Sequence, residues 1–326
     1  MGDASKPTVG FIGVGLMGHG MAKNIVEKGY DLVVMGHRNR APVEDLVGRG
    51  AREVSSPAAM ASACDVIHLC VTGSPQVEAL VHGEGGLLGS MRKGAVLIDT
   101  STSEPPSTLK IAEALRERGV RFADAPLSRT PKEAEAGTLD AMVGCDDETF
   151  AIIEPIIRTW AGIVVRTGPV GTGHTMKLLN NFIAMGYASL LSEAMAVGMK
   201  AGLSPHVFHE VIGAGRLRSG FYDTFMGYVA GGDPNAHKFA LRNAAKDMRY
   251  LAQMASSVGA VNPMGAAVRN IFAAAEAAGH GDDMLPWVAD FVAETNGVSL
   301  TEFDAGGRAD ARPRADAEPR DGTTTS

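Results

Sequence analysis

Three polar residues in the stretch GTGHTMKLLNN, residues 171–181, have the types and spacing of a proton-transfer site. Asn180 and Asn181 follow Lys177 at i+3 and i+4, so in a helix all three side chains share one face. A lysine held partly out of water can act as a general acid or base. This face is therefore the candidate active site, with Lys177 as the candidate catalytic residue.

The helix that must carry this face is long and apolar. It is predicted from about His174 to about Lys200, roughly 40 Å at 1.5 Å per residue, enough to join two domains. Its apolar residues point almost all the way round, as expected of a helix buried on several sides. They include Leu178, Leu179, Phe182, Ile183, Met185, Leu190, Leu191, Met195, Val197 and Met199. The alternative for Lys177 is a lysine that snorkels to water from a helix end.

A nucleotide-binding pattern lies near the N-terminus. An apolar run, Val9 to Ile12, leads into the glycine motif GVGLMG, then a helical pattern ending at Gly29, then a second apolar run, Leu32 to Met35. Strand, GxGxxG and helix within one βαβ unit predict a dinucleotide site. The cofactor contacts predicted from the motif are Gly13, Gly15, Leu16, Met17 and Gly18.

Each glycine of this motif has a physical reason. Gly13 allows a tight turn, Gly15 lets the backbone approach a pyrophosphate, and Gly18 lets the helix pack against the strand. The N–H groups at the start of the helix then face the phosphates.

The end of the second strand bears on the choice of cofactor. It reads His37, Arg38, Asn39, Arg40, with no carboxylate to accept from the ribose 2′-OH of NAD. Two arginines can form paired hydrogen bonds with a 2′-phosphate, so NADP is predicted as the preferred cofactor, with NAD still possible. The alternative is that Arg38 and Arg40 are solvated.

Short apolar runs and helical stretches then alternate as far as Gly168, which predicts a doubly wound, mostly parallel α/β sheet of the Rossmann type. Strands are predicted at Val66 to Val71, Ala95 to Asp99, Arg121 to Ala123, Ala141 to Val143 and Ile163 to Arg166, and helices at Val43 to Val47, Pro57 to Ala63, Pro105 to Glu117 and Glu148 to Trp160. Ligands bind beyond the carboxyl ends of such strands, so the segments 71–76, 99–103 and 124–131 should line the cofactor crevice. Val71 and Thr72 are the contacts expected in the first of these.

The remainder is predicted to be all-helical on the long interdomain helix, with helices at Pro205 to Ile212, Tyr222 to Val229, Lys238 to Ser256, Pro263 to Ala278 and Met284 to Glu294. The predicted organisation is a cofactor domain over residues 1–168, a helical substrate and oligomerisation domain over 169–296, and a disordered polar tail over 297–326.

Composition limits the function classes. The net charge of −7 with no basic stripe disfavours nucleic acid as a partner. No apolar run of about 18 residues lacks polar interruptions and no signal segment is evident, so a cytoplasmic protein without a membrane role is expected. The three cysteines are scattered and predict neither disulfide nor zinc site, and no metal is expected. His206 and His209 lack a third ligand and are expected to be solvated or neutral.

Five motifs in order resemble the β-hydroxyacid dehydrogenase family, the group that holds 3-hydroxyisobutyrate dehydrogenase and tartronate semialdehyde reductase. They are GFIGVGLMGHGMAKNIVEKGY, DTSTSEP, DAPLSRTPKEAEAGTLDAMVG, GTGHTMKLLNN and KFALRNAAKDMRYL. The resemblance implies a Rossmann domain, an all-α domain, and hydride transfer between a nicotinamide and a small β-hydroxy acid or its semialdehyde. It also implies a homodimer or homotetramer.

The resemblance assigns roles to individual positions. It places the catalytic lysine at Lys177, a substrate-binding asparagine at Asn181, a threonine near the nicotinamide at Thr102 and a substrate-carboxylate serine at Ser128. Lys246 matches a lysine near both cofactor and substrate, and Asp247 beside it is predicted to contact the cofactor.

The chemistry of the reaction also predicts a proton donor such as a lysine, independently of the family resemblance. Hydride transfer to a carbonyl leaves an alkoxide, which needs a proton as its charge develops. A lysine delivers it near neutrality only if its pKa, ordinarily about 10.4, is lowered by burial or by a second cation such as Lys246. Lys238, Arg242 and Lys246 at i+4 intervals could also attract an anion, or Lys238 and Arg242 could be plain solvated charge.

The sequence departs from the pattern after Pro126. Many members carry Ser-Gly-Gly there, whereas this chain has Ser128, Arg129 and Thr130. The Arg-Thr pair is similar to the sulfolactaldehyde reductase branch, and Arg129 could form paired hydrogen bonds with a carboxylate, sulfonate or phosphate. A small, strongly anionic substrate is therefore expected, with Ser128, Arg129 and Thr130 as its predicted contacts. The alternative is that Arg129 points to solvent or binds the cofactor phosphates.

Two other functions remain open at this point. An imine reductase would use the same scaffold, although those relatives usually lack the lysine at the position of Lys177. A non-catalytic NADP-binding scaffold protein would have no use for that lysine.

Overall fold

The computed structural model describes residues 6–300. The chain forms two compact units, Met1–Leu179 and Asn180–Ser326, and the division falls inside one continuous helix, α9 (Thr172–Lys200). The sequence places the boundary earlier, after Gly168. The first turns of α9 belong to the first unit because they pack against it: a Cβ at Gly173 would lie 2.5 Å from the carbonyl oxygen of Met142.

The first unit is built on one sheet with strand order β3-β2-β1-β4-β5-β6-β8-β7, and β9 pairs with β8. The strands are β1 (Val9–Ile12), β2 (Leu32–Met35), β3 (Arg52–Val54), β4 (Val66–Leu69), β5 (Val96–Asp99), β6 (Arg121–Asp124), β7 (Leu127–Ser128), β8 (Leu139–Gly144) and β9 (Ala161–Gly168). Strands β1 to β6 run parallel, whereas β8 is antiparallel to β6 and β7. Ile12 pairs with Leu69, Leu69 with Asp99, and Asp99 with Asp124, so four strands end at one edge.

Helices cover both faces of this sheet. They are α1 (Gly18–Glu27), α2 (Ala41–Gly48), α3 (Pro57–Ala63), α4 (Ser74–His82), α5 (Leu87–Ser90), α6 (Pro105–Glu117), α7 (Pro131–Ala136) and α8 (Asp147–Trp160). Alternate residues of a strand face opposite sides, so Val9 and Phe11 enter one core and Ile12 the other. This is the doubly wound sheet that the alternating pattern predicts.

Several short elements were not predicted, namely β3, α4, α5, β7 and α7. Strand β3 reads Arg-Glu-Val and lies at the sheet edge, where little apolar signal is needed. Helix α7 reads PKEAEA and buries only Ala134, so it has no apolar periodicity to detect.

The second unit is helical after α9. It contains α10 (Pro205–Ala214), α11 (Gly220–Val229), α12 (Leu241–Ser257), α13 (Pro263–Ala275) and α14 (Val288–Thr295). The predicted helix to Ala278 ends earlier, because a π-helical turn follows over Glu276–His280 and Gly279 has a φ of 94°. The predicted helix from Met284 begins as a 3-10 turn over Leu285–Trp287.

The start of the predicted tail is wrong. Leu300 is 2% exposed within the second-unit core, and Val298 packs against the same core. These two apolar residues follow directly after α14, so the chain packs to at least residue 300. The remainder of the predicted tail, 301–326, lies outside the described residues.

Helix α9 is less buried in the single chain than its composition predicts. Met185, Ala188 and Met195 are buried, whereas Ile183, Leu190 and Val197 are 69%, 57% and 64% exposed. The exposed three are spaced seven apart, so they form one stripe along the helix.

By length and composition alone α9 could cross a bilayer, the one such helix among residues 6–300. Its most apolar window is 39% buried in the single chain. The core helix of a water-soluble domain satisfies the same test.

Candidate active site

The glycine motif after β1 has the geometry of a phosphate-binding loop. Gly13 has a φ of +98°, and a Cβ there would lie 2.2 Å from the carbonyl oxygen of Cys70. A Cβ at Gly18 would lie 1.9 Å from the carbonyl oxygen of Gly13, so packing requires both glycines. At Gly15, by contrast, a Cβ would meet no described protein atom within 4 Å. Protein packing does not explain Gly15, whereas close approach of a pyrophosphate does.

The start of α1 fits the same ligand. No side chain caps this helix, so its first N–H groups have no capping partner among the described side chains. Leu16 is 65% exposed at the loop, whereas Met17 packs against the core. The residues present therefore fit a dinucleotide, and Met17 would contact it through its backbone.

The loop after β2 carries the residues predicted to select the cofactor. His37, Arg38 and Asn39 are exposed, and the Asn39 side chain accepts from the N–H of Ala41 at 3.2 Å. Arg40 donates to both carboxylate oxygens of Glu53, at 2.6 and 2.8 Å. This hydrogen bonding lowers the pKa of the Glu53 carboxyl. A 2′-phosphate would have to compete with Glu53 for Arg40, which the sequence did not indicate.

The loops after β4 and β5 are fixed to one another. The N–H of Val71 donates to Ser101 Oγ at 3.0 Å. Asp99, only 1% exposed, accepts from the N–H of Ser101 at 2.9 Å and from Ser103 Oγ at 2.8 Å. Thr102, half-buried, is held between these two serines. The predicted contacts Val71 and Thr102 thus lie on a rigid edge, with Thr72 exposed beside it.

A buried carboxylate anchors the start of α9. Asp124, at the end of β6 and 0% exposed, accepts from the N–H of Gly171 at 2.7 Å and of His174 at 2.8 Å. A Cβ at Gly173 would lie 2.9 Å from the Asp124 carboxylate and one at Gly144 2.6 Å, so both glycines make room for it. Burial raises the pKa of the Asp124 carboxyl, and the nearby His174 opposes that shift.

His174 belongs to the same buried cluster. Its ring is 0% exposed, with Nδ1 2.7 Å from Thr108 Oγ1 and Nε2 3.7 Å from Asp99 Oδ2. Asp99 and Asp124 fall in segments predicted to line the crevice, but their cluster with His174 was not predicted. The available signal was one aspartate at the end of a predicted strand and another directly after the next strand, which gave no indication of a partner 50 residues away.

Lys177 lies one helical turn after this cluster and is half-buried. The hydrogen bonds of Asp124 fix the first turn of α9, so the position from which Lys177 extends is fixed as well. Asn180, also half-buried, begins the second unit on the same helix.

The second unit joins three of the predicted residues. Asn181, 5% exposed, donates through Nδ2 to Asp247 Oδ2 at 2.6 Å. Lys246 Nζ lies 3.1 Å from Asp247 Oδ1 and 5.2 Å from the centroid of the Tyr250 ring. Asp247 is 1% exposed, and its carboxylate contacts the side chains of Asn181 and Lys246. Contact of Asp247 with a cofactor stays a prediction.

Fewer residues contribute to the predicted basic face of this helix than the i+4 spacing indicates. Arg242 pairs with Asp282, and Lys238 is exposed before the helix begins at Leu241. His209 is also explained without a metal: its Nδ1 lies 2.8 Å from the hydroxyl of Tyr222, and burial lowers its pKa.

The Ser128-Arg129-Thr130 segment is ordered by two acids. Asp140 accepts from Ser128 Oγ at 3.3 Å and from Arg129 Nε at 2.8 Å. Arg129 is 42% exposed in its side chain and has a φ of +86°. Thr130 forms a capping box with Glu133 at the start of α7, so its hydroxyl already has a structural partner. Binding of substrate by Thr130 stays a prediction.

The comparisons with known proteins agree with this architecture. Residues 8–168 match the NAD binding domain of 6-phosphogluconate dehydrogenase, and residues 171–288 match the NAD-binding family of NADP-dependent 3-hydroxyisobutyrate dehydrogenase. The chain is 32% identical to 2-(hydroxymethyl)glutarate dehydrogenase of Eubacterium barkeri, covering 90% of this chain and 97% of that protein. It is 32% identical to the mitochondrial 3-hydroxyisobutyrate dehydrogenase of Bos taurus, covering 89% and 88%.

A solved structure gives the same result. The crystal structure of 3-hydroxyisobutyrate dehydrogenase from Salmonella typhimurium has a TM-score of 0.77 and 25% identity, covering 87% of this chain and 99% of that one. Fold, glycine loop and relatives together define a nicotinamide-dependent oxidoreductase. The chain belongs to the β-hydroxyacid dehydrogenase family, as its five motifs indicate.

Proposed function

We propose that this enzyme transfers hydride between NADP and a small anionic β-hydroxy acid or its semialdehyde, with Lys177 as general acid and base. The observation that carries the proposal is the half-buried lysine one turn beyond a helix start that Asp124 anchors. The relatives support hydroxyacid dehydrogenase activity in general.

The nicotinamide, when bound, supplies the hydride for reduction or accepts it in oxidation. Lys177 gives the balancing proton to the substrate oxygen as the carbonyl becomes an alkoxide, and takes it back in the reverse direction. Asn181, held by Asp247, orients the substrate, and Lys246 adds positive charge next to it. Ser128 and Arg129 bind the acid groups.

The proposed substrate class depends on Arg129. It presents a guanidinium in the segment where many relatives carry glycine, and a guanidinium binds carboxylate, sulfonate or phosphate through paired hydrogen bonds. The glutarate named for the E. barkeri relative is itself a diacid, which supports a second anionic group.

We expect the enzyme to prefer 2-(hydroxymethyl)malonate, a diacid, over 3-hydroxyisobutyrate, in which a methyl group replaces one carboxylate. Loss of a charge-assisted pair should lower kcat/KM about tenfold or more for the monoacid. Initial rates of cofactor reduction measure this ratio. Equal kcat/KM values for the two acids would remove this role from Arg129.

We expect NADP to be preferred because no carboxylate stands after β2 and Arg38 is exposed there. The ratio of kcat/KM for NADPH to that for NADH should be at least about tenfold, and Arg38→Ala should lower it about tenfold. Arg40→Ala should lower it less, because Glu53 already engages that guanidinium.

Arg52→Ala is the matched control for these two variants. Arg52 is an exposed arginine on β3 that pairs with Asp31 at 2.9 Å, so its loss should leave the cofactor ratio unchanged. A tenfold preference for NADH in the wild-type enzyme would refute the assignment.

We further propose a homodimer or homotetramer. Ile183, Leu190 and Val197 place a continuous apolar stripe on the surface of the second unit, and such stripes are commonly covered by another protein surface. Leu190→Glu should dissociate the assembly, as measured by light scattering, and a monomeric wild-type enzyme would contradict the proposal.

The presence of Lys177 argues against both an imine reductase and a non-catalytic scaffold.

A further inference from the structure

Asp140 lies directly opposite Ser128 in the antiparallel pair of β7 and β8. In this register the two side chains are neighbours on one face of the sheet. Each oxygen of the Asp140 carboxylate accepts from a different residue: Oδ2 accepts from Ser128 Oγ at 3.3 Å, and Oδ1 accepts from Arg129 Nε at 2.8 Å. One side chain therefore fixes both residues that the proposed function assigns to the substrate acid groups.

The backbone of Arg129 requires such an anchor. Its φ of +86° is the one left-handed non-glycine conformation among residues 6–300. An L-residue persists in this region only where its surroundings hold it there, and such positions cluster at binding sites. The Asp140 ion pair is the contact of the Arg129 side chain that can supply this restraint.

The pair leaves part of the guanidinium for a ligand. Asp140 engages Nε, and none of the described residues forms a hydrogen bond to the two Nη groups of Arg129. Those two nitrogens together form the end-on fork that binds an oxyanion through paired hydrogen bonds. The side chain is 42% exposed, so a small anion can reach it.

We propose that Asp140 is a positioning residue for substrate specificity, which holds Arg129 in its left-handed conformation and turns the Nη groups of that side chain toward the second acid group of the substrate. The inference rests on the proposed function, because it requires that Arg129 bind that group. The opposite role is masking, in which the negative charge of Asp140 cancels Arg129 and weakens anion binding.

The readout is the diacid preference, the ratio of kcat/KM for 2-(hydroxymethyl)malonate to that for 3-hydroxyisobutyrate. We expect Asp140→Ala to lower it about tenfold, mainly through KM for the diacid, and Asp140→Asn to stay within about threefold of wild type because the amide oxygen still accepts from Nε. An increased preference in both variants would establish masking and overturn the proposal. An unchanged preference in Asp140→Ala would also overturn it.

Arg129→Gly separates this inference from the proposed function. If Arg129→Gly leaves the preference unchanged, Arg129 does not bind the second acid group, and that part of the proposed function is wrong. If Arg129→Gly lowers the preference and Asp140→Ala does not, only the role of Asp140 is wrong. In the Arg129→Gly background, Asp140→Ala should have no further effect on the preference.

Two measurements guard against a folding defect. Thermal unfolding and NADPH binding of each variant should match the wild type. Asp147→Ala is the matched control, since Asp147 also pairs with an exposed arginine, Arg166, at 2.6 Å, and has no part in the proposed site. Its diacid preference should equal that of the wild type.

Discussion

Replacing Lys177 by alanine should lower kcat by about 10²- to 10⁴-fold, the usual contribution of a general acid or base. The alkoxide would then have to take its proton from water as its charge develops. NADPH should still bind, because the glycine loop and α1, which fit its phosphates, are untouched. Single-turnover hydride transfer and NADPH titration measure the two effects separately.

Lys177→Arg distinguishes proton transfer from charge. A guanidinium keeps the positive charge but does not give up a proton in proteins, so this variant should be about as inactive as the alanine variant. Lys200→Ala, at the exposed far end of the same helix, is the control and should be unaffected. A Lys177→Ala enzyme within about tenfold of wild type would remove this lysine from the mechanism.

The stability of the first unit should fall steeply in mild acid because of His68. This residue is 0% exposed in β4, stacked on Phe11 with ring centroids 5.5 Å apart, with the Trp160 ring edge-on at 6.3 Å. Neither ring nitrogen has a hydrogen-bond partner within residues 6–300, and burial lowers the His68 pKa to about 3. Folding therefore keeps this imidazole neutral.

The direction of the pH dependence follows from proton binding. The unfolded chain takes up the His68 proton near pH 6.5 and the folded chain only near pH 3. The contribution of neutral His68 to the free energy of unfolding is therefore fully present above pH 6.5 and is lost as the pH falls toward 3. At 1.36 kcal/mol per pH unit, the free energy of unfolding falls by about 5 kcal/mol over this range, and by about 2 kcal/mol already at pH 5.

His68→Leu and His68→Phe should remove this loss of stability in mild acid. Urea unfolding of each variant at pH 7.5 and pH 5 should show a fall in unfolding free energy about 2 kcal/mol smaller than that of the wild type. Two variants of different size allow for a packing defect, since such a defect shifts stability equally at both pH values. His82→Gln, at an exposed histidine, should retain the wild-type pH dependence. Equal slopes in wild type and both variants would show that His68 does not contribute.

The sheet and its glycine loop were predictable because their signals are local. The run Val9 to Ile12, the turn at Gly13 and the close contact at Gly18 lie within ten residues of one another, and each residue type has one physical explanation. The helices of the second unit were predictable for the same reason, although the end of α13 depended on a left-handed Gly279 that no periodicity reveals.

The supports of the site were not predictable. Asp124 receives its hydrogen bonds from Gly171 and His174, and Asp247 receives one from Asn181, each across 47 or more residues of chain. The salt bridge of Arg40 with Glu53 is similar, since the loop after β2 alone predicts two arginines available to a phosphate. These pairs form only because parallel strands and packed helices bring distant segments together.

The sequence by itself determined the family, the two fold types and the residues able to do chemistry, because these depend on residue type and short spacing. Only the tertiary structure decided that Asp140 holds Arg129, that Thr130 caps a helix, and that one face of α9 is exposed. Each of these depends on which side chain occupies the space beside another, and a buried or paired group gains its energy from that neighbour and not from its position in the chain.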